Sequence, residues 1–336
     1  MKEAMFYEKG PIVHCYLCYR NCKIGEGLFG LCGIRQNING TLYAMTYGKP
    51  CSYAVDPIEK KPFYHFWPGS MSFSIATVGC NFRCLHCQNA DISQARPGGV
   101  YESNLPPERV VSLAKQHGCR GISYTYTEPT IFFEYCYDIG RIAREQGMYN
   151  NFVTNGYAQS EPVNKSNEFL DAARIDLKGD EEHYLKVCGG VVLENVLKCI
   201  KDFYKTGMHI EIITLVIEKD NDNKEFVSRM ADFLKGLSKD IPWHFTAFYP
   251  AYHMLDKPRT STKTLEQMHD WAIGAGMRYV YTGNIPGHKY ENTYCPDCGE
   301  LAIERHGFSL VKVNLTKDKR CPSCGEKIPI VGEITP

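Results

Sequence analysis

The sequence predicts an α/β protein: a partial (β/α)6 TIM-like barrel with an N-terminal cysteine-rich metal-binding segment and a C-terminal zinc ribbon. Strand-like and helix-like segments alternate between residues 71 and 290, which is the pattern of parallel βα units. Four cysteines precede this alternation at positions 15–32, and four more follow it at positions 295–324. We therefore expect three domains: a metal-binding cap (1–70), the barrel (71–290) and the ribbon (291–336).

The barrel segments follow one another in regular order. Predicted strands are 73–78, 121–126, 149–154, 173–178, 209–216 and 243–248, with a further strand at 278–281. Helices are expected near 106–117, 130–145, 161–171, 193–206, 222–236 and 263–275. The first helix begins at Pro106-Pro107, because proline fixes φ and the first helical turn needs no N–H there. Before the barrel, residues 40–56 alternate apolar and polar side chains around a Gly-Lys-Pro turn, which predicts a small β-hairpin.

Composition limits the functions that this chain can have. It has 336 residues and a formal net charge of zero, so no bulk charge attracts nucleic acid. No apolar run approaches the roughly 18 residues of a membrane span, and the N-terminus lacks a signal-peptide pattern. We therefore expect a cytoplasmic protein without membrane contact. Sixteen cysteines, most of them in tight groups, then indicate metal ligands rather than disulfides.

The central motif is a three-cysteine loop that follows the first barrel strand. Cys80, Cys84 and Cys87 have Cys-x3-Cys-x2-Cys spacing, which lets three thiolates converge on one face of an iron–sulfur cube. Such clusters are normally held by four cysteines, yet the next cysteine, Cys119, lies beyond a predicted helix. Three ligands leave one iron open to a substrate or cofactor. The alternative from spacing alone is three core or zinc-binding thiols.

These cysteines match the signature of the radical S-adenosylmethionine (SAM) superfamily, and the phrase from Tyr64 to Asn89 resembles one branch of it. That branch is the radical SAM enzyme of the AmmeMemoRadiSam system, which is similar to the activating enzymes of glycyl-radical enzymes of the pyruvate formate-lyase type. The resemblance implies an oxidoreductase whose [4Fe–4S] cluster binds SAM and cleaves it to a 5′-deoxyadenosyl radical. It also implies an electron donor such as ferredoxin or flavodoxin, partners from the AmmeMemoRadiSam system, and a protein or small-molecule substrate.

Candidate SAM-site residues lie in the loop and at two strand ends, because reactive residues of barrels gather at the carboxyl ends of the strands. His86 lies inside the three-cysteine loop. Thr127 and Glu128 belong to a Tyr-Thr-Glu-Pro phrase that stands where relatives have Gly-Gly-Glu-Pro. Glu128 has the alternative of being only a carboxylate at a helix N-terminus. Thr154 and Asn155 end the third strand in a Thr-Asn-Gly turn, for which ligand contact and a plain loop are both open.

Two later strands contribute further candidates. Asp176 and Lys178 are two residues apart on a strand, so their side chains point to the same side and can pair at the barrel mouth. Their Asp-Leu-Lys phrase resembles one that contacts SAM in the glycyl-radical activating enzymes, and a structural ion pair is the alternative. His244 either lines the pocket near adenine or fills the core. No catalytic residue is assigned beyond the cluster ligands.

The two terminal cysteine groups predict metal sites. Near the N-terminus, four cysteines within eighteen positions surround several glycines, and zinc is favoured over an auxiliary iron–sulfur cluster at Cys15, Cys18, Cys22 and Cys32. Near the C-terminus, two Cys-Pro-x-Cys-Gly knuckles predict zinc at Cys295, Cys298, Cys321 and Cys324, with a rubredoxin-like iron site as the alternative.

A metal-stabilised binding or scaffold protein without SAM chemistry is the competing function. The polar phrases at the ends of successive strands argue against it, because a scaffold does not need them.

Overall fold

The computed structural model describes residues 1–335. The N-terminal strands are β1 (Lys2–Glu3), β2 (Tyr7–Glu8), β3 (Ile12–Cys15), β4 (Cys22–Gly25), β5 (Arg35–Ile38), β6 (Thr41–Ala44) and β7 (Ser52–Pro57). The central strands are β8 (Met71–Ala76), β9 (Gly121–Tyr124), β10 (Tyr149–Thr154), β11 (Ala172–Asp176), β12 (His209–Val216), β13 (Trp243–Ala247) and β14 (Val280–Gly283). The C-terminal strands are β15 (Thr293–Tyr294), β16 (Leu301–His306) and β17 (Ser309–Val313).

The helices cover one face of the central sheet or extend its loops. They are α1 (Ala90–Ser93), α2 (Pro107–Gln116), α3 (Phe133–Glu145), α4 (Ser160–Ser166), α5 (Glu181–Lys186), α6 (Leu193–Lys205), α7 (Lys224–Lys235) and α8 (Thr262–Gly274). Short 3₁₀ turns occupy Ile58–Lys60, Pro129–Phe132 and Lys289–Glu291. As predicted, α2 begins with a proline in its first turn, at Pro107. The side chains of Asn223 and Ser261 accept backbone N–H groups at the starts of α7 and α8.

The central sheet confirms the α/β prediction. Strands β8 to β14 are parallel, and each pairs with the next one along the chain. Strand β7 adds an antiparallel edge to β8. No hydrogen bonds join β7 to β14 within the described residues, so the sheet stays open, as expected of a partial barrel. The sheet has seven parallel strands, because the segment that we placed at 278–281 forms the last of them at Val280–Gly283.

The predicted hairpin at residues 40–56 is wrong. Strand β6 pairs with β5 and β1 in a small antiparallel sheet, whereas β7 leaves that sheet and pairs with β8. Pairing with β8 gives β7 six residues in register, a longer ladder than the four-residue β6 offers. The alternation in this segment belongs to two strands of different sheets: β6 is the central strand of its small sheet, and β7 is an edge strand of the large one.

The C-terminal segment lies against the N-terminal end of the central sheet. Strands β15, β16 and β17 form an antiparallel sheet from which Arg305 donates to the carbonyl oxygen of Tyr64 at 2.9 Å. The tail then returns to the same stretch, where the Val331 N–H donates to the His65 carbonyl at 2.8 Å. These contacts leave the opposite end of the sheet free for a site. No helix in residues 1–335 is both long and apolar enough to cross a bilayer.

Candidate functional site

A cavity of about 440 Å³ opens at the C-terminal ends of the parallel strands. We call it the mouth cavity. All three cysteines of the predicted cluster loop line it, together with residues from the ends of most of the parallel strands, including Thr127, Glu128, Asn155, Asp176, Lys178, Thr246 and Asn284. The fold therefore brings together residues that are up to about two hundred positions apart in the sequence.

The cluster loop begins at a glycine that the fold requires. Gly79 has φ +92°, and a Cβ there would lie 2.6 Å from the Cys32 carbonyl oxygen. Beyond it, the Phe82 N–H donates to the Cys80 sulfur at 3.4 Å, and the Cys87 sulfur lies 3.2 Å from the Ser93 hydroxyl. In the described part of the chain, the sulfurs of Cys80, Cys84 and Cys87 do not all lie within 4.8 Å of one another. Three thiols on one wall, spaced more widely than around one ion, fit the face of an iron–sulfur cube.

His86 lies in the same loop with its ring buried. Its Nδ1 has no hydrogen-bond partner among the described residues, and its ring centroid lies 5.9 Å from that of His183. Burial lowers the pKa of His86 well below its usual value, and the nearby Lys178 and His183 act in the same direction. His86 is therefore neutral at pH 7 and lines the mouth cavity as a hydrogen-bonding group.

Glu128 holds two strand-end loops together. Its carboxylate accepts from the Thr154 hydroxyl at 2.7 Å, from the Asn155 N–H at 2.7 Å and from the Thr130 N–H at 3.0 Å. Burial raises the pKa of Glu128, and the hydrogen bonds from Asn155, Thr130 and Thr154 oppose that shift. The carboxylate also caps the Pro129–Phe132 turn, which was the alternative for this residue. Thr154 donates its hydroxyl hydrogen bond to Glu128 and does not line the mouth cavity.

Asn155 connects the third strand end to the cluster loop. Its Nδ2 donates to the Asn81 side-chain oxygen at 2.7 Å and lies 3.8 Å from the Cys80 sulfur. Its own Oδ1 is buried without a partner among the described residues. The neighbouring Thr127 lines the cavity while its hydroxyl donates to the Thr77 carbonyl at 2.7 Å.

Asp176 is bridged by two cations. Lys178 Nζ lies 2.6 Å from one carboxylate oxygen, which is the pair that the sequence predicted, and the Arg174 guanidinium contacts the other. All three side chains line the mouth cavity. The Arg174 Nε is buried without a partner among the described residues. Sequence reasoning missed Arg174, although its position two residues before Asp176 places it on the same side of β11.

A second ion-pair group at the cavity was also missed. Lys60 and Lys61 line the cavity, and their Nζ atoms lie 2.7 Å and 2.6 Å from the two carboxylate oxygens of Asp56. Burial lowers the pKa of Lys61 to about 8, although Asp56 opposes the shift. Its ammonium also lies 4.3 Å from the ring centroid of Tyr126. These residues precede the first parallel strand, where no motif indicated a functional role.

His244 is corrected from a cofactor-site candidate to a core residue. It is buried, its Nε2 donates to the Glu211 carboxylate at 2.7 Å, and it does not line the mouth cavity. Thr246, two residues later on the same side of β13, does line the cavity. Two residues of strand correspond to roughly 6–7 Å, so His244 lies below the cavity floor.

The C-terminal cysteines converge on one point. The sulfurs of Cys295, Cys298, Cys321 and Cys324 all lie within 4.8 Å of one another. The pair Cys295 and Cys324 is separated by 3.5 Å, and the pair Cys298 and Cys321 by 3.6 Å. Four sulfurs about 2.3 Å from a tetrahedral zinc ion would be about 3.8 Å apart. The quartet thus forms a site for a single metal ion.

The N-terminal cysteines share a location but have a different spacing. All four line a small cavity of about 20 Å³, together with Arg20, Arg35 and Asn81. Within residues 1–335, no three of their sulfurs lie within 4.8 Å of one another.

The fold and the mouth cavity define a parallel α/β protein with a cysteine-lined cavity at the carboxyl ends of its strands. Residues 74–230 match the family model described as the Radical SAM superfamily. The chain is 48% identical over 335 residues to an uncharacterized protein of Methanocaldococcus jannaschii, covering 98% of this chain and 100% of that one. The chain belongs to the radical SAM superfamily, which implies an enzyme that uses SAM and a [4Fe–4S] cluster.

Two further comparisons are with proteins described as activating enzymes. The chain is 25% identical over 186 residues to a candidate glycyl-radical enzyme activating enzyme of the same organism, covering 53% of this chain and 68% of that one. A solved domain of pyruvate-formate lyase-activating enzyme from Bacteroides vulgatus matches with a TM-score of 0.44 and 21% identity, covering 49% of this chain and 99% of that one.

Proposed function

We propose that this protein is a radical SAM enzyme whose [4Fe–4S] cluster is held by Cys80, Cys84 and Cys87. When bound, the cluster and SAM supply one-electron cleavage of the sulfonium to methionine and a 5′-deoxyadenosyl radical, which abstracts hydrogen from the substrate. The observation that carries the proposal is the position of all three cysteines on one wall of the 440 Å³ mouth cavity. That volume is in the range of known ligand pockets.

The chain's own residues bind and orient SAM in this proposal. Lys178 pairs with the carboxylate of the methionine moiety, and Asp176 accepts from its amino group or from the ribose hydroxyls. Glu128 fixes the loop of Asn155 and acts as a positioning residue, because its lone pairs are engaged by backbone and hydroxyl donors. The buried, neutral His86 offers a hydrogen bond without adding charge to the cluster loop.

For the substrate and the partners, we propose chemical classes rather than individual molecules. The similarity to activating enzymes favours a substrate from which hydrogen is removed at a protein backbone glycine, with a small molecule as the second possibility. A low-potential one-electron donor such as ferredoxin or flavodoxin supplies the reducing electron. The cysteine phrase at positions 15–22 favours the AmmeMemoRadiSam branch, with action in the cytoplasm, where thiols remain reduced. The C-terminal quartet is assigned zinc.

The test is anaerobic reconstitution with iron and sulfide, followed by incubation with SAM and dithionite. We expect release of 5′-deoxyadenosine by the parent and none by Cys84→Ala, which should also lose about four irons. Cys119→Ala is the matched control, because Cys119 is buried away from the mouth cavity and should keep both properties. Absence of 5′-deoxyadenosine from an iron-loaded parent would contradict the proposal and favour a scaffold.

A further inference from the structure

The N-terminal quartet encloses more space than one metal ion fills. Around a single zinc, the sulfurs would be about 3.8 Å apart and would leave no room for a water-sized body between them. The C-terminal quartet has that geometry, with sulfur pairs at 3.5 Å and 3.6 Å. The N-terminal sulfurs instead surround a cavity of about 20 Å³, which is enough for a water molecule. Among the described residues, the sulfurs of Cys80, Cys84 and Cys87 are also too widely spaced to surround a single ion.

The N-terminal cavity has an apolar lining, and no side chain fills the space between its sulfurs. Leu17, Ile24 and Ile131 form apolar walls between the sulfurs. A Cβ at Gly30 would lie 3.7 Å from the Cys22 sulfur and 3.8 Å from the Cys32 sulfur, so glycine leaves open the space between these two ligands. The buried Arg35, which also lines the cavity, is paired with Glu134 at 2.6 Å and places positive charge beside the thiolates.

Asn81 has a buried side-chain N–H group without a hydrogen-bond acceptor, which is a second observation that points to a ligand in this cavity. Its side chain is fully buried, and its Oδ1 accepts from Asn155 on the side of the mouth cavity. Its Nδ2 has no hydrogen-bond partner among the described residues, and Asn81 lines the N-terminal cavity together with Cys18. An unpaired buried donor is costly, because it has lost its hydrogen bonds to water without gaining another acceptor. A cluster sulfur inside the cavity would accept this N–H, and such bonds are a known influence on cluster potentials.

We propose that Cys15, Cys18, Cys22 and Cys32 hold a second, fully ligated [4Fe–4S] cluster in place of the expected zinc. Asn81 directly follows Cys80 in the chain and lines the N-terminal cavity, so a single residue separates the two cysteine sites. The second cluster takes one electron from a low-potential donor, passes it to the Cys80 cluster, and returns to its oxidised state. This electron-transfer role rests on the proposed function, whereas the identity of the cluster does not.

Metal analysis of the anaerobically prepared, unmodified protein tests the identity. We expect about eight irons and about one zinc per chain, the zinc belonging to the ribbon. About four irons and about two zincs would overturn the proposal. This measurement needs no variant and is therefore independent of whether a cysteine replacement folds.

Paired variants assign the two clusters by electron paramagnetic resonance. Cys18→Ala with Cys22→Ala should remove about four irons and leave a reduced signal that changes when SAM is added. Cys84→Ala with Cys87→Ala should leave a second signal that SAM does not change. Retention of that second signal without any SAM cleavage by the parent would defeat the proposed function while supporting this inference. Asn81→Leu should keep both clusters and shift the reduction potential of the SAM-insensitive signal; an unchanged potential would show that Asn81 does not donate to this cluster and would contradict the placement of the cluster against Asn81.

Discussion

Replacement of Glu128 by glutamine should destabilise the fold by about 2–4 kcal/mol. One carboxylate oxygen accepts from Thr130 and Thr154, and the other accepts from the Asn155 N–H. A glutamine has one acceptor oxygen, so in either orientation its NH₂ group meets a buried donor. Turned toward Asn155, the amide loses a charge-assisted bond worth about 1.5–3 kcal/mol and leaves an unpaired buried N–H that costs about 1–3 kcal/mol. The range assumes that these effects partly overlap, since side chains nearby relax.

The assay is anaerobic urea unfolding of the reconstituted protein, followed by circular dichroism. Thr154→Val removes one of the three bonds to the carboxylate and also the bond from the Gly156 N–H to the Thr154 hydroxyl, so it should cost about 1–3 kcal/mol. Glu145→Gln, at an exposed position on α3, serves as the matched control and should stay within about 0.5 kcal/mol of the parent. A Glu128→Gln protein as stable as the Glu145→Gln control would refute the reasoning, because the buried carboxylate would then not be holding the two loops.

Three further predictions concern the cofactor site, the pH response and the ribbon. Asp176→Asn should weaken SAM binding about tenfold to a hundredfold, since a charged hydrogen bond is worth roughly 1.5–3 kcal/mol; equal affinity at equal iron content, measured by equilibrium dialysis, would assign Asp176 a structural role. Burial raises the pKa of Glu59 to about 7, so the folded state binds this proton more tightly and stability falls as the pH rises from 4.5 toward 7. As the pH rises from about 5 to about 8, the free energy of unfolding of Glu59→Gln, measured in urea, should therefore increase relative to that of the parent by on the order of 3 kcal/mol. A difference between the two proteins that does not change with pH would contradict this. Cys298→Ser should lower zinc content by about one per chain and expose the ribbon to limited proteolysis; an intact, protease-resistant ribbon without zinc would contradict metal-dependent folding.

The order of the strands was predictable because each parallel strand is a short apolar run bounded by turn residues. The same regularity placed Asp176 and Lys178 together, since strand side chains repeat every two residues. The three-cysteine loop could be proposed as a cluster loop because ligand spacing is local in the sequence, and the structure places its cysteines at one cavity. Where the chemistry depends on neighbours within a few residues, the sequence was sufficient.

The errors came from contacts between distant segments. Strands of a parallel sheet are buried on both faces, so polarity does not reveal how deep a residue lies, and His244 was assigned too near the mouth. Lys60 and Lys61 reach the mouth cavity from the segment between β7 and β8, and the pairing of β7 with β8 places this segment beside the sheet. The spacing of the N-terminal sulfurs also depends on tertiary packing, which a cysteine count does not contain.

The contact between Arg305 and Tyr64 means that the ribbon is not a detachable module. Arg305 is buried, donates to the Tyr64 carbonyl and lies 4.3 Å from the Tyr64 ring centroid, while the Tyr64 and His65 N–H groups donate to Glu211 in the sheet. A chain shortened before residue 291 would lose Arg305 and Val331, and would leave the buried Tyr64 and His65 carbonyl groups without these donors at the base of the barrel. The smallest piece of this protein that can be engineered, fused or exchanged as a folded unit therefore includes the ribbon.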